Sequence, residues 1–105
     1  MYVNCLSCRD QTPTLRAIYA DLKDQGFQII AVAIIPNDSA QELEDYREEL
    51  ELGWPHGLYD SGAVGDYTVR GTPTLALVDR DGNLAGKWTG VRSEGQLRAA
   101  IEPLL

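Results

Sequence analysis

Apolar positions along the chain change rhythm several times, and each change marks an element. Leu15, Ile18, Tyr19 and Leu22 recur at three- and four-residue steps, the spacing of one helix face, and Gly26 supplies the stop. Pro13 falls inside this pattern, where it removes an amide donor and crowds the carbonyl of Arg9. The pattern predicts a kinked helix carrying Cys5 and Cys8 on its first turn; the other reading makes Pro13 the first residue of a separate helix, with residues 5–12 a loop. Phe27 to Ile35 is an almost unbroken apolar run without charge, which predicts a strand buried on both faces. Ser39 with Glu42 reads as a capping box opening a helix through Leu43, Tyr46 and Leu50 to about Leu52. Its acidic residues, Glu42, Glu44, Asp45, Glu48, Glu49 and Glu51, fall where a solvated face is expected.

The second half is shorter-paced. Gly53-Trp54-Pro55-His56-Gly57 reads as a turn leading to a short strand, Leu58-Tyr59, and Asp60-Ser61 caps a brief helix to about Tyr67. Leu75 to Val78 and Leu84 to Gly90 form a hairpin about the cluster Asp79-Arg80-Asp81-Gly82-Asn83. From Ser93, Leu97, Ala100, Ile101 and Leu104 share the face of a closing helix whose last turn Pro103 frays. A helix between two buried strands implies a right-handed parallel crossover, and the late hairpin makes the sheet mixed. The expected architecture is a three-layer α/β/α sandwich, one domain over residues 1–105, with the first strand short or missing. Only four residues precede Cys5, where a strand of ordinary length takes about five or six. Either that strand is unusually short or, as we expect, the sequence continues a longer protein.

Composition narrows the possible functions. Sixteen acidic against nine basic residues give a net charge of −7, which disfavours nucleic acid and anionic membrane surfaces as partners. No apolar run approaches the ~18 residues of a membrane span. The chemistry therefore centres on Cys5-Leu6-Ser7-Cys8, which holds both cysteines. Two thiols at this spacing can close into a disulfide or open to a dithiol, provided the first sulfur is exposed at a helix start, where free N–H groups favour thiolate. Cys5 is then the nucleophile and Cys8 the resolving thiol. The same spacing is half of a zinc site, but there is no third cysteine and a single histidine, His56, placed in a loop and expected to be an ordinary surface residue. Two inert cysteines are the remaining reading.

Thr72-Pro73 follows a glycine and opens a strand, a place where proline is tolerated and where its bond can be cis. A short strand, a CxxC pair, a proline-bearing helix, a buried strand and then Gly71-Thr72-Pro73-Thr74 opening a hairpin and last helix resemble the thioredoxin superfamily. The likeness extends from Tyr2 to Leu105 and is nearest to the TlpA/ResA/DsbE-type thiol-disulfide oxidoreductases, through Trp54-Pro55, Tyr59-Asp60, the segment from Tyr67 to Thr74 and Val78-Asp79-Arg80-Asp81-Gly82. The resemblance implies a thioredoxin-like fold and an enzyme exchanging a Cys5–Cys8 dithiol and disulfide with protein partners. It implies Pro73 as a cis proline facing the pair, Thr72 as the residue whose backbone pairs with substrate, and the Trp54–His56 loop as part of the specificity surface. No cofactor beyond the disulfide is implied, and the partners are protein thiols, protein disulfides and an upstream redox protein. A monomer is expected, in an extracytoplasmic location by resemblance, although a cytoplasmic one is compatible with the chain. The alternative is a redox-inert interaction module of a larger protein. A peroxidase would want threonine and proline before the cysteine, where Val3 and Asn4 stand, and a copper carrier a wider spacing. The pattern departs from the family at Asn4, where tryptophan is usual, at Gln11, where a titratable glutamate is frequent, and in the strand leading to Cys5.

Overall fold

A computed structural model describes every residue from Met1 to Leu105. The first helix, α1, spans Leu6–Leu22 with Cys5 as its N-cap, so the cysteines do sit at a helix start. Pro13 lies inside α1 without dividing it. The Arg9 carbonyl, which proline leaves without an amide partner, accepts instead from the Thr12 hydroxyl at 2.8 Å. A 3-10 turn over Lys23–Gln25 prolongs the helix, and Gly26 leaves it at φ 95°, a left-handed conformation that favours glycine.

Helix α2, Ala40–Glu49, begins with the expected capping box: Ser39 accepts from the Glu42 amide, and the Glu42 carboxylate accepts from the Ser39 amide. Leu43 and Tyr46 are buried, while the six acidic positions are exposed. Helix α3, Ser61–Asp66, is capped by Asp60, and α4, Glu94–Ile101, by a second box of Ser93 and Gln96. Pro103 falls in a terminal 3-10 turn.

The strands depart from the sequence reading. The apolar run 27–35 contributes only Ala31–Val32 to a ladder, as β1, and Ile30 is 70% exposed rather than buried. The short strand is His56–Gly57, β2, two residues before the expected Leu58-Tyr59, whose side chains are exposed. Parallel pairing sets this register, with Ala31 opposite His56 and Val32 opposite Gly57. The hairpin is as expected: β3, Thr74–Val78, pairs antiparallel with β4, Leu84–Thr89. Asp79 closes its turn by accepting from the amides of Asp81 and Asn83. The α/β organisation with both pairing senses stands, but the strands form two two-stranded ladders, β1–β2 and β3–β4, with no hydrogen bonds between them. An apolar run shows that a segment prefers burial, while how much of it joins a ladder is set by the strands beside it; β1 has a strand partner on one side.

Two apolar cores hold these parts. Ile18 and Leu22 of α1 pack with Leu97 and Ile101 of α4, against Leu75, Leu77 and Trp88 of the hairpin. Tyr46, Leu52 and Trp54 form the second, against Met1, Val3, Tyr19, Ile29 and Ala31. Leu15 touches both.

Candidate active site

Cys5 and Cys8 are joined by a disulfide at the amino end of α1. The Cys8 amide donates to Cys5 Sγ at 3.1 Å, and no acidic side chain stands in the first turn of the helix to offset its positive end. Thr72 Oγ1 lies 3.3 Å from the same sulfur. A disulfide sulfur carries no hydrogen, so the hydroxyl is the donor. Two donors therefore converge on Cys5 Sγ from segments far apart in the chain, and none reaches Cys8 Sγ. The expectation of an exposed first sulfur is corrected: both cysteines are only 4% exposed, while Leu6 between them is 76% exposed. Thr72 and α1 close over Cys5, so the open surface at the motif is the Leu6-Ser7 turn.

The Thr72-Pro73 peptide bond is cis and Pro73 is buried. Pro73 hands its carbonyl to the Gly90 amide at 2.8 Å, and Thr74 Oγ1 donates to the Gly71 carbonyl, so both sides of Thr72 are pinned. The backbone N–H and C=O of Thr72 itself make no hydrogen bond.

Trp54 is corrected from the specificity surface to the core. It is 2% exposed, with its ring edge-on to Tyr19 at 5.5 Å. Indole in water would leave a large apolar area unburied. His56 is likewise not a surface loop residue: it lies in β2, half-buried, 5.7 Å from the Tyr46 ring, with Nδ1 at 3.2 Å from the Trp54 carbonyl. Burial pushes its pKa below the ordinary value, partly opposed by that hydrogen bond. No three His, Cys, Asp or Glu side chains are grouped to hold a metal ion.

Three residues that sequence reasoning did not place position the motif. Asp38, 6% exposed, accepts from the Val3 amide at 2.9 Å. Arg9 donates to the Val3 carbonyl, pairs with Glu49 at 3.2 Å and stacks on Tyr46. Gln11, 1% exposed, binds the Arg92 backbone twice: its Nε2 donates to the carbonyl at 3.0 Å and its Oε1 accepts from the amide at 2.7 Å. A glutamate there could not make both bonds while ionised, which gives the Gln11 departure a structural reason. These partners lie tens of residues away, and no local signal announces them.

The family model described as Thioredoxin-like matches residues 2–84. The thiol-disulfide oxidoreductase ResA of Bacillus anthracis is 26% identical over 102 residues, which cover 95% of this chain and 57% of that protein. The chain thus spans little more than half the length of the curated relatives it matches. The crystal structure of the thioredoxin domain of a thiol-disulfide oxidoreductase from Bacteroides vulgatus, 26% identical, superposes with a TM-score of 0.80 over all of this chain and 75% of that one. A thiol-disulfide isomerase from Corynebacterium glutamicum, 19% identical, superposes at 0.87 over all of this chain and 76% of its own, a likeness of fold. With its cysteine pair capping α1, a cis proline opening the hairpin and a family model matching most of its length, this chain belongs to the thioredoxin-like family.

Proposed function

We propose that the chain exchanges its Cys5–Cys8 pair with thiols and disulfides of partner proteins, Cys5 acting as nucleophile and Cys8 as resolving thiol. The observation that carries this reading is the convergence of the Cys8 amide and the Thr72 hydroxyl on one sulfur, at a helix N-terminus free of acidic side chains. Both donors favour the anionic sulfur over the neutral one. In the reduced protein the Cys5 thiolate attacks a partner disulfide; one partner sulfur becomes bonded to Cys5 and the other leaves as thiolate. The Cys8 thiolate then attacks Cys5 Sγ and releases the first partner sulfur as thiolate. The chain ends oxidised by two electrons and the partner reduced by two. Run backwards, the same steps oxidise a dithiol.

Thr72 offers an N–H and a C=O that nothing in the chain uses, beside the sulfur that must be reached. An extended partner segment can pair with them as a strand adds to a sheet edge. Pro73 supports that edge, and the exposed Leu6 side chain offers an apolar contact alongside. Trp54 acts through the packing of the second core, against Tyr19. The cysteine pair itself gives up and takes up the two electrons, so no external cofactor is required, and a second redox protein restores its starting state. One chain contains every group these steps use, which suits a monomer. The resemblance to the TlpA/ResA/DsbE-type proteins suits a location outside the cytoplasm. Reduction of insulin disulfides by the reduced protein tests the proposal: Cys5→Ser abolishes turnover, and Cys8→Ser accumulates mixed disulfides visible on non-reducing gels. Undiminished turnover by the Cys5 variant overturns it.

A further inference from the structure

The chain carries a net charge of −7, yet the segments that meet Cys5 Sγ from across the fold hold no acid. Neither the stretch from Tyr67 to Val78, which contains Thr72-Pro73, nor that from Leu84 to Ser93, which contains Gly90, has an Asp or Glu. They have three cations instead, Arg70, Lys87 and Arg92. None of these is in an ion pair, because the carboxylates pair only with Arg9, Arg16, Arg47 and Arg98 on the helices. Of the acids that flank the two stretches, Glu94 is held by Arg98 and Asp66 pairs with no cation.

The fold gathers the three cations beside the sulfur. Arg70 is exposed, its side chain makes no hydrogen bond, and it stands two residues from Thr72, whose hydroxyl is 3.3 Å from Cys5 Sγ. Lys87 is fixed close to Arg70 in the chain, its Nζ donating to the Tyr67 and Thr68 carbonyls at 3.2 and 3.3 Å. Arg92 is set between α1 and the proline segment. Its backbone is gripped by Gln11, one helical turn beyond Cys8, and its Nη2 donates to the Thr89 carbonyl at 2.9 Å, next to the Gly90 amide that binds Pro73. The Arg92 Nε is buried without an acceptor, and Nη1 makes no bond. A guanidinium held this way is partly stripped of water, and its attraction for a carboxylate rises as the local dielectric falls.

We propose that this face selects partner segments carrying Asp or Glu within about three residues of the reacting cysteine. The inference rests on the exchange reading above and names the substrate class of that site. A strand paired with Thr72 advances ~3.3 Å per residue, so an acid two positions from its cysteine comes within reach of the long Arg70 side chain. A carboxylate also supplies the acceptor that the Arg92 Nη1 lacks. Net charge argues the other way, since a chain at −7 attracts basic partners at long range. The local face and the whole-chain charge therefore predict opposite orders of preference.

The test offers the reduced protein disulfide-linked homodimers of Glu-Ala-Cys-Ala-Glu, Gln-Ala-Cys-Ala-Gln and Lys-Ala-Cys-Ala-Lys, acetylated and amidated at their ends. Each rate is divided by that of the same peptide with dithiothreitol, which removes the effect of the flanking charges on the disulfide itself. At an ionic strength of about 0.02 M the acidic peptide reacts at least about fivefold faster than the glutamine peptide and the basic one slower, and at about 0.5 M the rates converge. Arg70→Gln and Arg92→Gln each at least halve the acidic-to-neutral ratio and together bring it below about twofold, whereas Arg92→Lys keeps most of it. A general change in Cys5 reactivity cancels in this ratio. Arg70→Gln breaks no side-chain bond, so it reports even where loss of the Arg92–Thr89 bond unsettles its loop. Equal rates for acidic and neutral peptides, or the basic-first order that net charge predicts, overturn the inference and leave the exchange reading standing. A preference that survives both glutamine substitutions overturns it too. Reduction of none of the three peptides overturns exchange itself, and this inference with it.

Discussion

Cys5 Sγ receives the Cys8 amide from its own helix and the Thr72 hydroxyl from across the fold, and the two contributions separate by mutation. Thr72→Val keeps the shape and removes the hydroxyl donor. A hydrogen bond to a charged group contributes about 1.5–3 kcal/mol, and sulfur is a weaker acceptor than oxygen, so the thiolate loses about 1.4 kcal/mol, a factor of ten. The thiolate fraction falls about tenfold while the more basic thiolate is about threefold more nucleophilic, so iodoacetamide should alkylate reduced Thr72→Val about threefold more slowly than the parent near neutral pH, with the fold unchanged by circular dichroism. His56 acts on stability instead. Its pKa is lowered mainly by burial, so at mildly acidic pH the unfolded chain binds a proton that the folded chain refuses. The resulting stabilisation is complete above about pH 6.5 and is lost as pH falls through the interval between that value and the folded pKa. Thermal melts of His56→Gln across this range should show a flatter loss toward acid than the parent. The Met1 ammonium, lowered from 8.0 by burial, has the same sign in a higher window, so the difference between the two profiles isolates the histidine.

Helix α1 shows which parts of an element are local and which are not. Its start at the cysteine pair, its stop at Gly26 and its apolar face were all legible, because caps, breakers and periodicity act within a few residues. What holds α1 against the rest was illegible: Gln11 grips Arg92 in the segment leading to α4, eighty-one residues along. The Ser39–Glu42 capping box and the hairpin turn were read correctly for the same local reason, whereas the Ser93–Gln96 box went unread and β1 was overextended. An apolar run states that a segment prefers burial, and the neighbours that decide how much of it is paired lie elsewhere in sequence. Trp54 was misplaced in a similar way: a Trp-Pro-His-Gly stretch has the composition of a loop, but Tyr19 and Tyr46 enclose it. Gln11→Leu tests the grip. It fills the volume but leaves the Arg92 N–H and C=O without partners, each costing about 1–3 kcal/mol where water is excluded. Arg92 is half-buried and part of that loss is recovered from solvent, so urea denaturation should report about 2–3 kcal/mol of destabilisation. Gln11→Glu retains an acceptor for the amide and should lose less at acidic pH than at neutral, where its carboxylate faces the carbonyl.

Across the whole molecule, the two ladders belong to separate apolar cores, and α1 is the body that spans them. Leu15 alone among the apolar side chains of both clusters packs against the α1–α4 core and the Tyr46–Leu52–Trp54 core together. Tyr19 edges the second core, and Ile18 and Leu22 serve the first. A contact shared by two units couples their opening, since losing it releases both, while a contact inside one unit lowers the opening free energy of that unit first. Leu15 is only half-buried, so Leu15→Ala should cost about 2 kcal/mol, toward the low end for a leucine truncation. Ile101→Ala, at a position 6% exposed, should cost about 3 kcal/mol. The larger loss should nevertheless have the narrower effect. Native-state hydrogen exchange of Ile101→Ala should quicken at the β3–β4 amides of Leu75 and Leu77 and largely spare Ala31 and Ala33, which donate to the β2 segment. Leu15→Ala should quicken exchange on both ladders by similar factors and broaden the denaturant transition as the two cores begin to open separately. A Leu15→Ala chain that still unfolds in one sharp step, with exchange altered on one ladder only, would place the coupling elsewhere, at the hydrogen bonds of Met1 to Val32 and Ile34 or at the Arg98 link between α4 and Asp21.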